Sequence, residues 1–352
     1  MKSLFDLRGK VAARNRFMAL GVALLGLAGI ATAALSLTGA GATFPYPMYS
    51  KWFNEYHKMH PDTEINYQSI GSGGGIKQVT EGTVDFGASD GPMNDQQIAE
   101  FKQKRGCDVL HFPTVLGADV PVYNLPGVTA TLNFTPEALA GIFLGKITKW
   151  NDPEIQKPNP SVKLPNNDLV VVHRSDGSGT TYVWVDYLSK VSPAWKQKVG
   201  VGTSVNWPVG LGGKGNEGVS GQVKQTEYSI GYVELVYAIQ NKFPYGNVRN
   251  QSGVFVKADL ASVTAAAAAS PNMPDDFRVS ITNAPGKNSY PIASFTWLLV
   301  PSKIRDPAKK QAIVDFLHWM IGPGQKFTEA LAYAQLPKQV AGQEEKAVSK
   351  IQ

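Results

Sequence analysis

Residues 170–181 read Val-Val-Val-His-Arg-Ser-Asp-Gly-Ser-Gly-Thr-Thr, and this stretch constrains the fold more than any other. The apolar run at 169–172 reads as a short buried strand. A turn follows that crowds Arg174, Asp176, glycines and hydroxyls together, and residues 181–188 (TYVWVDYL) are apolar enough to continue as a helix. A strand, a glycine-bearing turn and a helix start form an anion seat. Free N–H groups and the positive end of the helix dipole meet at one spot, and glycine lets the backbone come close to what is bound. The same residues also fit an ordinary βα loop whose Ser and Thr cap the helix.

The device recurs. Residues 37–45 (LTGAGATFP) form a glycine-rich segment before a helical face of Met48, Trp52, Phe53, Tyr56 and Met59, with Thr43 at the N-cap position and Pro45 and Pro47 in the early turn. Residues 64–70 alternate like a strand and run into Gly71-Ser72-Gly73-Gly74-Gly75, ahead of a helical stretch from Ile76. Residues 84–92 (VDFGASDGP) predict a strand with Asp90 at its C-terminal tip. Thr135-Pro136, Asp152-Pro153 and Asp306-Pro307 each read as a cap followed by proline at the first helical position. Strands are expected at 229–233 and 290–301, and a helix over the alanine run 265–269. Repeated α/β alternation implies sheets flanked by helices. Ligands of such sheets sit beyond the strand C-termini, where Ser72, Asp90 and Arg174 would emerge.

At 352 residues, with 43% hydrophobic and 10% aromatic content, the chain can fill the cores of two domains. The net charge of +6 is concentrated at the start: residues 1–33 hold five basic side chains against Asp6, leaving +2 for the remainder. The body therefore carries no nucleic-acid footprint. Cys107 is the only cysteine and the five histidines are scattered, so neither an internal disulfide nor a metal-ligand cluster is expected. Basic residues, the uncharged run 17–31 and Ala31-Thr32-Ala33 predict a secretory signal peptide over 1–33. About 15 apolar residues fall short of the roughly 20 a spanning helix needs.

Segments 37–45, 70–75 (IGSGGG), 84–90 (VDFGASD), 144–152 (LGKITKWND), 174–180 (RSDGSGT), 207–218 (WPVGLGGKGNEG) and 230–234 (IGYVE) together resemble the periplasmic phosphate-binding proteins of high-affinity phosphate ABC transporters. The resemblance implies an α/β, two-lobed periplasmic-binding-protein fold of type 2. Each lobe would be a mixed sheet flanked by helices, with lobe I at 34–115 plus 291–352 and lobe II at 116–290. It implies inorganic phosphate bound in the cleft and delivered to membrane permease subunits by a monomer in the periplasm, without cofactor, metal or chemistry on the ligand. The implied contacts are the hydroxyl and N–H of Thr43, the N–H of Phe44, the hydroxyl and N–H of Ser72 and the carboxylate of Asp90. To these it adds the guanidinium of Arg174, the hydroxyl of Ser178, the N–H of Gly179 and the hydroxyl and N–H of Thr180, with Asp176 holding Arg174 from behind. The departures are a charged segment at 100–108 and Asp119 and Pro121 in a crossing strand that the family makes apolar.

Phosphate near neutral pH always carries a proton. An ionised Asp90 repels an anion unless the anion donates to it, and sulfate has no proton to give, so Asp90 is expected to decide identity. The alternatives are a hydrolase or phosphatase using Ser178 and a binder of another oxyanion such as sulfate or molybdate. Asp176 stands where a nucleophile elbow needs glycine.

Overall fold

The computed structural model describes residues 34–352 apart from Pro271, and Leu35–Gln352 form one compact unit. The leader expected at 1–33 lies outside the described residues. The first strand, β1 (Leu35–Gly41), is followed by β2 (Thr63–Ser69), β3 (Phe86–Ser89) and β4 (Val109–Asn124). Then come β5 (Asn133–Phe134), β6 (Val170–Arg174), β7 (Leu211–Gly213), β8 (Ser229–Glu234), β9 (Asn247–Arg249), β10 (Phe255–Val256) and β11 (Ala293–Pro301). Eight of them make one mixed sheet in the order β2-β1-β3-β11-β4-β8-β6-β7, and β10, β9 and β5 make a small second sheet. Helices connect nearly every pair of strands, as the alternating pattern requires.

The sheet has two halves joined through β4. Its residues 109–118 pair antiparallel with β11, and from Asp119 to Asn124 it pairs antiparallel with β8. β1, β2 and β3 are parallel in one half, β6, β7 and β8 in the other. All nine residues of β11 are buried, as expected of a central strand covered on both faces. That strand begins at Ala293, later than its apolar run predicts. Tyr290 and Pro291 bond outside the ladder: the Tyr290 hydroxyl donates to the Asp119 carbonyl at 2.9 Å and the Asn283 N–H donates to the Pro291 carbonyl at 2.6 Å.

Helix Tyr46–Met59 buries Met48, Tyr49, Trp52, Phe53 and Tyr56 against the sheet. Met59, expected on that face, ends the helix 49% exposed, and Tyr49 completes the buried stripe instead. The proline-led starts form as read. The hydroxyl of Thr135 and the carboxylates of Asp152 and Asp306 accept from N–H groups in the turns they cap, and the alanine run lies in helix Leu260–Ala268. The charged segment at 100–108 closes helix Asp95–Arg105, which ends on Gly106 at φ 67°, a conformation that favours glycine. Among the described residues no helix is long and apolar enough to cross a membrane.

Leu299 sits in the middle of β11 and is fully buried. Leu299→Ala is expected to lower unfolding free energy by about 3 kcal/mol, read as a shift in urea midpoint with unchanged slope.

Candidate functional site

Strand directions place the site. β3 and β6 belong to different halves and run so that both C-termini point towards the place where β4 changes partner, at 118–119. β3 delivers Asp90 there and β6 delivers Arg174. β1 ends one strand away from β3 and hands the chain to Thr43 and Phe44. Gly71, at φ 89°, turns the chain from β2 into helix Ser72–Glu81, and the segment after Arg174 turns into helix Gly179–Val191.

These segments meet. The Gly73 N–H donates to the Gly177 carbonyl at 2.9 Å, joining the loop after β2 to the loop after β6. A Cβ on Gly179 would collide with Asp90 Oδ2 and Ser72 Oγ, so only glycine lets that helix start approach Asp90. The Ser72 hydroxyl accepts from the Asp90 N–H at 3.2 Å and lies 3.4 Å from Asp90 Oδ2. Arg174 grips Asp176 through Nε at 2.8 Å and Nη2 at 2.5 Å, and Nη1 donates to Thr180 Oγ1 at 3.2 Å. A guanidinium has five N–H donors, so two remain for a ligand. Asp176 also accepts from the Gly215 N–H at 3.0 Å, which locks the pair in place.

All of Thr43, Phe44, Ser72, Asp90, Arg174, Ser178, Gly179 and Thr180 come together and are buried, none of the seven non-glycine residues more than 3% exposed. Among the described residues the N–H groups of Thr43 and Phe44 have no acceptor. Those of Ser72, Gly179 and Thr180 stand in first helical turns, where no intrahelical partner exists. The Ser178 hydroxyl accepts from the Thr181 N–H at 2.9 Å as a helix cap and keeps its proton free. The cluster is a set of hydrogen-bond donors with one cation and one carboxylate among them, which suits a small oxyanion.

Thr43 is not a helix cap. The helix starts at Tyr46 after Pro45 without a side-chain cap, because proline fixes the entry and the Thr43 hydroxyl is engaged elsewhere, by Asn216. Asn216 was not singled out from sequence, although it lies in the segment 207–218; it bonds Thr43 Oγ1 at 2.8 Å and Thr180 Oγ1 at 3.0 Å. Two others were missed. Thr296 donates to Asp90 Oδ1 at 2.8 Å, and its signal was a hydroxyl which, with that of Ser294, interrupts an apolar strand and needs a partner once buried. The Tyr237 hydroxyl donates to the Thr43 carbonyl at 2.7 Å, with no comparable signal.

Burial raises Asp90 to about 7, and the Thr296 bond, Arg174 and Ser72 only partly oppose it. Burial alone would raise Asp176, but its bonds from Arg174 outweigh that and hold it below the usual carboxylate range. Asp119 and Glu234 face each other in the β4–β8 ladder; burial pushes both well upward, the charge of Asp90 adds to the rise of each, and Glu234 adds further to that of Asp119. The acid and proline that interrupt the apolar pattern of β4 are thus both inside the sheet, and the Asp119 carboxylate finds no hydrogen-bond partner among the described residues.

A family model described as the PBP superfamily domain matches residues 28–323. The phosphate-binding protein PstS of Pasteurella multocida is 46% identical over 313 residues, which cover 88% of this chain and 89% of that protein. The phosphate-binding protein PstS of Methanocaldococcus jannaschii is 42% identical over 322 residues, covering 86% and 82%. Among solved structures, a putative phosphate ABC transporter substrate-binding protein with bound phosphate from Clostridium perfringens has a TM-score of 0.62 at 17% identity, with 86% of this chain and 100% of that one covered. A high-affinity periplasmic phosphate-binding protein bound with phosphate has a TM-score of 0.73 at 20% identity, with 89% and 93% covered. At those identities the two structures speak for the fold, an α/β mixed sheet flanked by helices.

Asp90 titrates near 7 folded against 3.8 as a free side chain. Between those values the folded protein holds a proton that the unfolded chain has lost, so stability falls as pH rises through the window and the penalty is complete above it. Asp90→Asn is expected to raise the melting temperature of the ligand-free protein, with a gain that grows from the acid end of that window to the alkaline end. A gain independent of pH would show that Asp90 ionises as an ordinary carboxylate.

Proposed function

The chain belongs to the PBP superfamily, among its phosphate-binding proteins, and from that membership we propose that it binds inorganic phosphate outside the cytoplasm and delivers it to the permease subunits of an ABC importer. The observation that carries the reading is the composition of the buried cluster. Among the described residues five unpaired N–H groups, four hydroxyls and two free guanidinium donors are gathered in it with a single carboxylate, Asp90. A tetrahedral anion accepts from such donors on every oxygen. Asp90 tolerates the anion only when the two share a proton, which phosphate supplies.

Sulfate brings no proton, so it needs Asp90 in its neutral form. That form dominates below about 7 and is lost above it. An unsatisfied buried partner of this kind rejects an analogue by roughly 10⁴–10⁵. Selectivity for phosphate therefore grows with pH.

A site this deeply buried has to open to exchange its ligand. In the proposed motion lobe I (34–115 plus 291–352) and lobe II (116–290) part at the β4 crossing and again before β11. The bonds from Gly73 to Gly177, Asn216 to Thr43 and Tyr237 to Thr43 join the two sides and would break on opening. The site residues would then be Thr43, Phe44, Ser72, Asp90, Arg174, Ser178, Gly179 and Thr180, with Asp176 fixing Arg174. Binding is favoured over hydrolysis at Ser178 because the nearby histidine is turned away. The His173 ring stacks on Trp207 with centroids 4.8 Å apart, and its Nδ1 lies 3.0 Å from the Arg174 carbonyl. Export through the expected leader would place the protein in the periplasm.

Calorimetric titration is expected to give tight phosphate binding and far weaker sulfate binding, with a preference larger at about pH 8.5 than at about pH 6. Asp90→Asn should shrink that preference and flatten its pH dependence. Equal affinity for both anions in the unaltered protein would overturn the reading.

A further inference from the structure

Asn216 opens helix Gly215–Gln225 and is completely buried. Its Oδ1 accepts from the Glu234 backbone N–H at 2.9 Å. A backbone N–H can only donate, so this bond fixes the amide with oxygen towards Glu234 and nitrogen towards the threonines. From Nδ2 it donates to Thr43 Oγ1 at 2.8 Å and to Thr180 Oγ1 at 3.0 Å, using both amide hydrogens.

Counting lone pairs gives the consequence. A hydroxyl oxygen has two acceptor positions and one proton. Thr43 Oγ1 accepts from Asn216 Nδ2 and from the Asn216 backbone N–H at 3.3 Å. Thr180 Oγ1 accepts from Asn216 Nδ2 and from Arg174 Nη1 at 3.2 Å. Both acceptor positions are filled on both hydroxyls, and among the described residues neither proton has an acceptor in the protein. With Thr43 2% and Thr180 0% exposed, water outside the site does not serve them either.

We infer that Asn216 is a positioning residue that locks the hydroxyls of Thr43 and Thr180 as obligate donors to the bound anion, and thereby biases the site against the more protonated form of phosphate. The inference rests on the phosphate reading above. A second proton on the ligand has to point at an acceptor. With both threonines locked as donors, the acceptors left around the anion are Asp90 and one lone pair each on the Ser72 and Ser178 hydroxyls, whose other lone pairs accept from the Asp90 and Thr181 N–H groups. Removing the amide returns one acceptor position to each threonine, so singly charged phosphate is admitted more readily and the doubly charged form loses donors.

The test is a double-mutant cycle read by phosphate calorimetry on the full chain, at about pH 6 and about pH 8.5. Asn216→Leu is expected to weaken phosphate binding ~10–100-fold at the higher pH, the size of one hydrogen bond to a charged group, because the two hydroxyls are unlocked and not removed. The loss should be at least ~3-fold smaller at the lower pH, and should fall below ~3-fold in a Thr43→Val, Thr180→Val background. A loss of the same size in both backgrounds, unchanged by pH, would reduce Asn216 to a structural brace and overturn the inference. If Asn216→Leu abolishes the cooperative melt, Asn216→Ser carries the same comparisons. No phosphate binding by the unaltered protein would instead sink the functional reading, and the role of Asn216 with it.

Discussion

A carboxylate taken out of water with no counter-charge bonded to it is the constraint around which the rest is arranged. Asp90 is 1% exposed, and its contacts are two neutral hydroxyls, Thr296 and Ser72. Arg174, the one cation in the cluster, spends two of its donor positions on Asp176. Among the described residues Asp90 is therefore left without an ion pair, and desolvation lifts it to about 7. Were Arg174 to bond Asp90 directly, the acid would stay ionised to lower pH and the site would admit only anions that bring a proton to share.

The Arg174–Asp176 fork has a second effect. It holds the guanidinium plane fixed, and the further bond from the Gly215 N–H to Asp176 ties that plane to helix Gly215–Gln225. Asn216, the next residue, reaches the threonines from the same helix start. Orientation of the charge and orientation of the hydroxyls are set by two adjacent residues of one turn. Such rigidity suits a binder that must lose little entropy on closing.

The loops were legible because each is written in contiguous residues. A strand end, a glycine, a hydroxyl and a helix start follow one another at 70–75 and again at 174–181, although the steric need for Gly179 comes from Asp90 and Ser72, distant in the chain. What escaped depends on partners far away in the chain. Asn216 and Thr43 are 173 residues apart and Thr296 and Asp90 are 206 apart, so no spacing rule reaches them. The position of Thr43 before two prolines fits a cap, and only the fold reveals that its oxygen is already occupied. The alternation of strands and helices pointed to the α/β class. The strand order did not follow from it, since the placing of β11 between β3 and β4 joins segments almost two hundred residues apart. The interruption of the apolar pattern at Asp119 was visible, but its cause, a buried acid opposite Glu234, required the ladder register.

The sixteen residues of β4 run from one half of the sheet to the other without a break. A hydrogen-bonded ribbon differs from a loose tether, because it resists bending in its plane and yields mainly to torsion shared over several peptide units. In the proposed opening, rotation between the halves would behave like the winding of a torsion bar, with a restoring force that grows with angle. The relaxed geometry of that bar, set by side chains such as Asp119 and Glu234 packed along it, is where selection can tune how readily the jaws part without touching any residue that meets the guest.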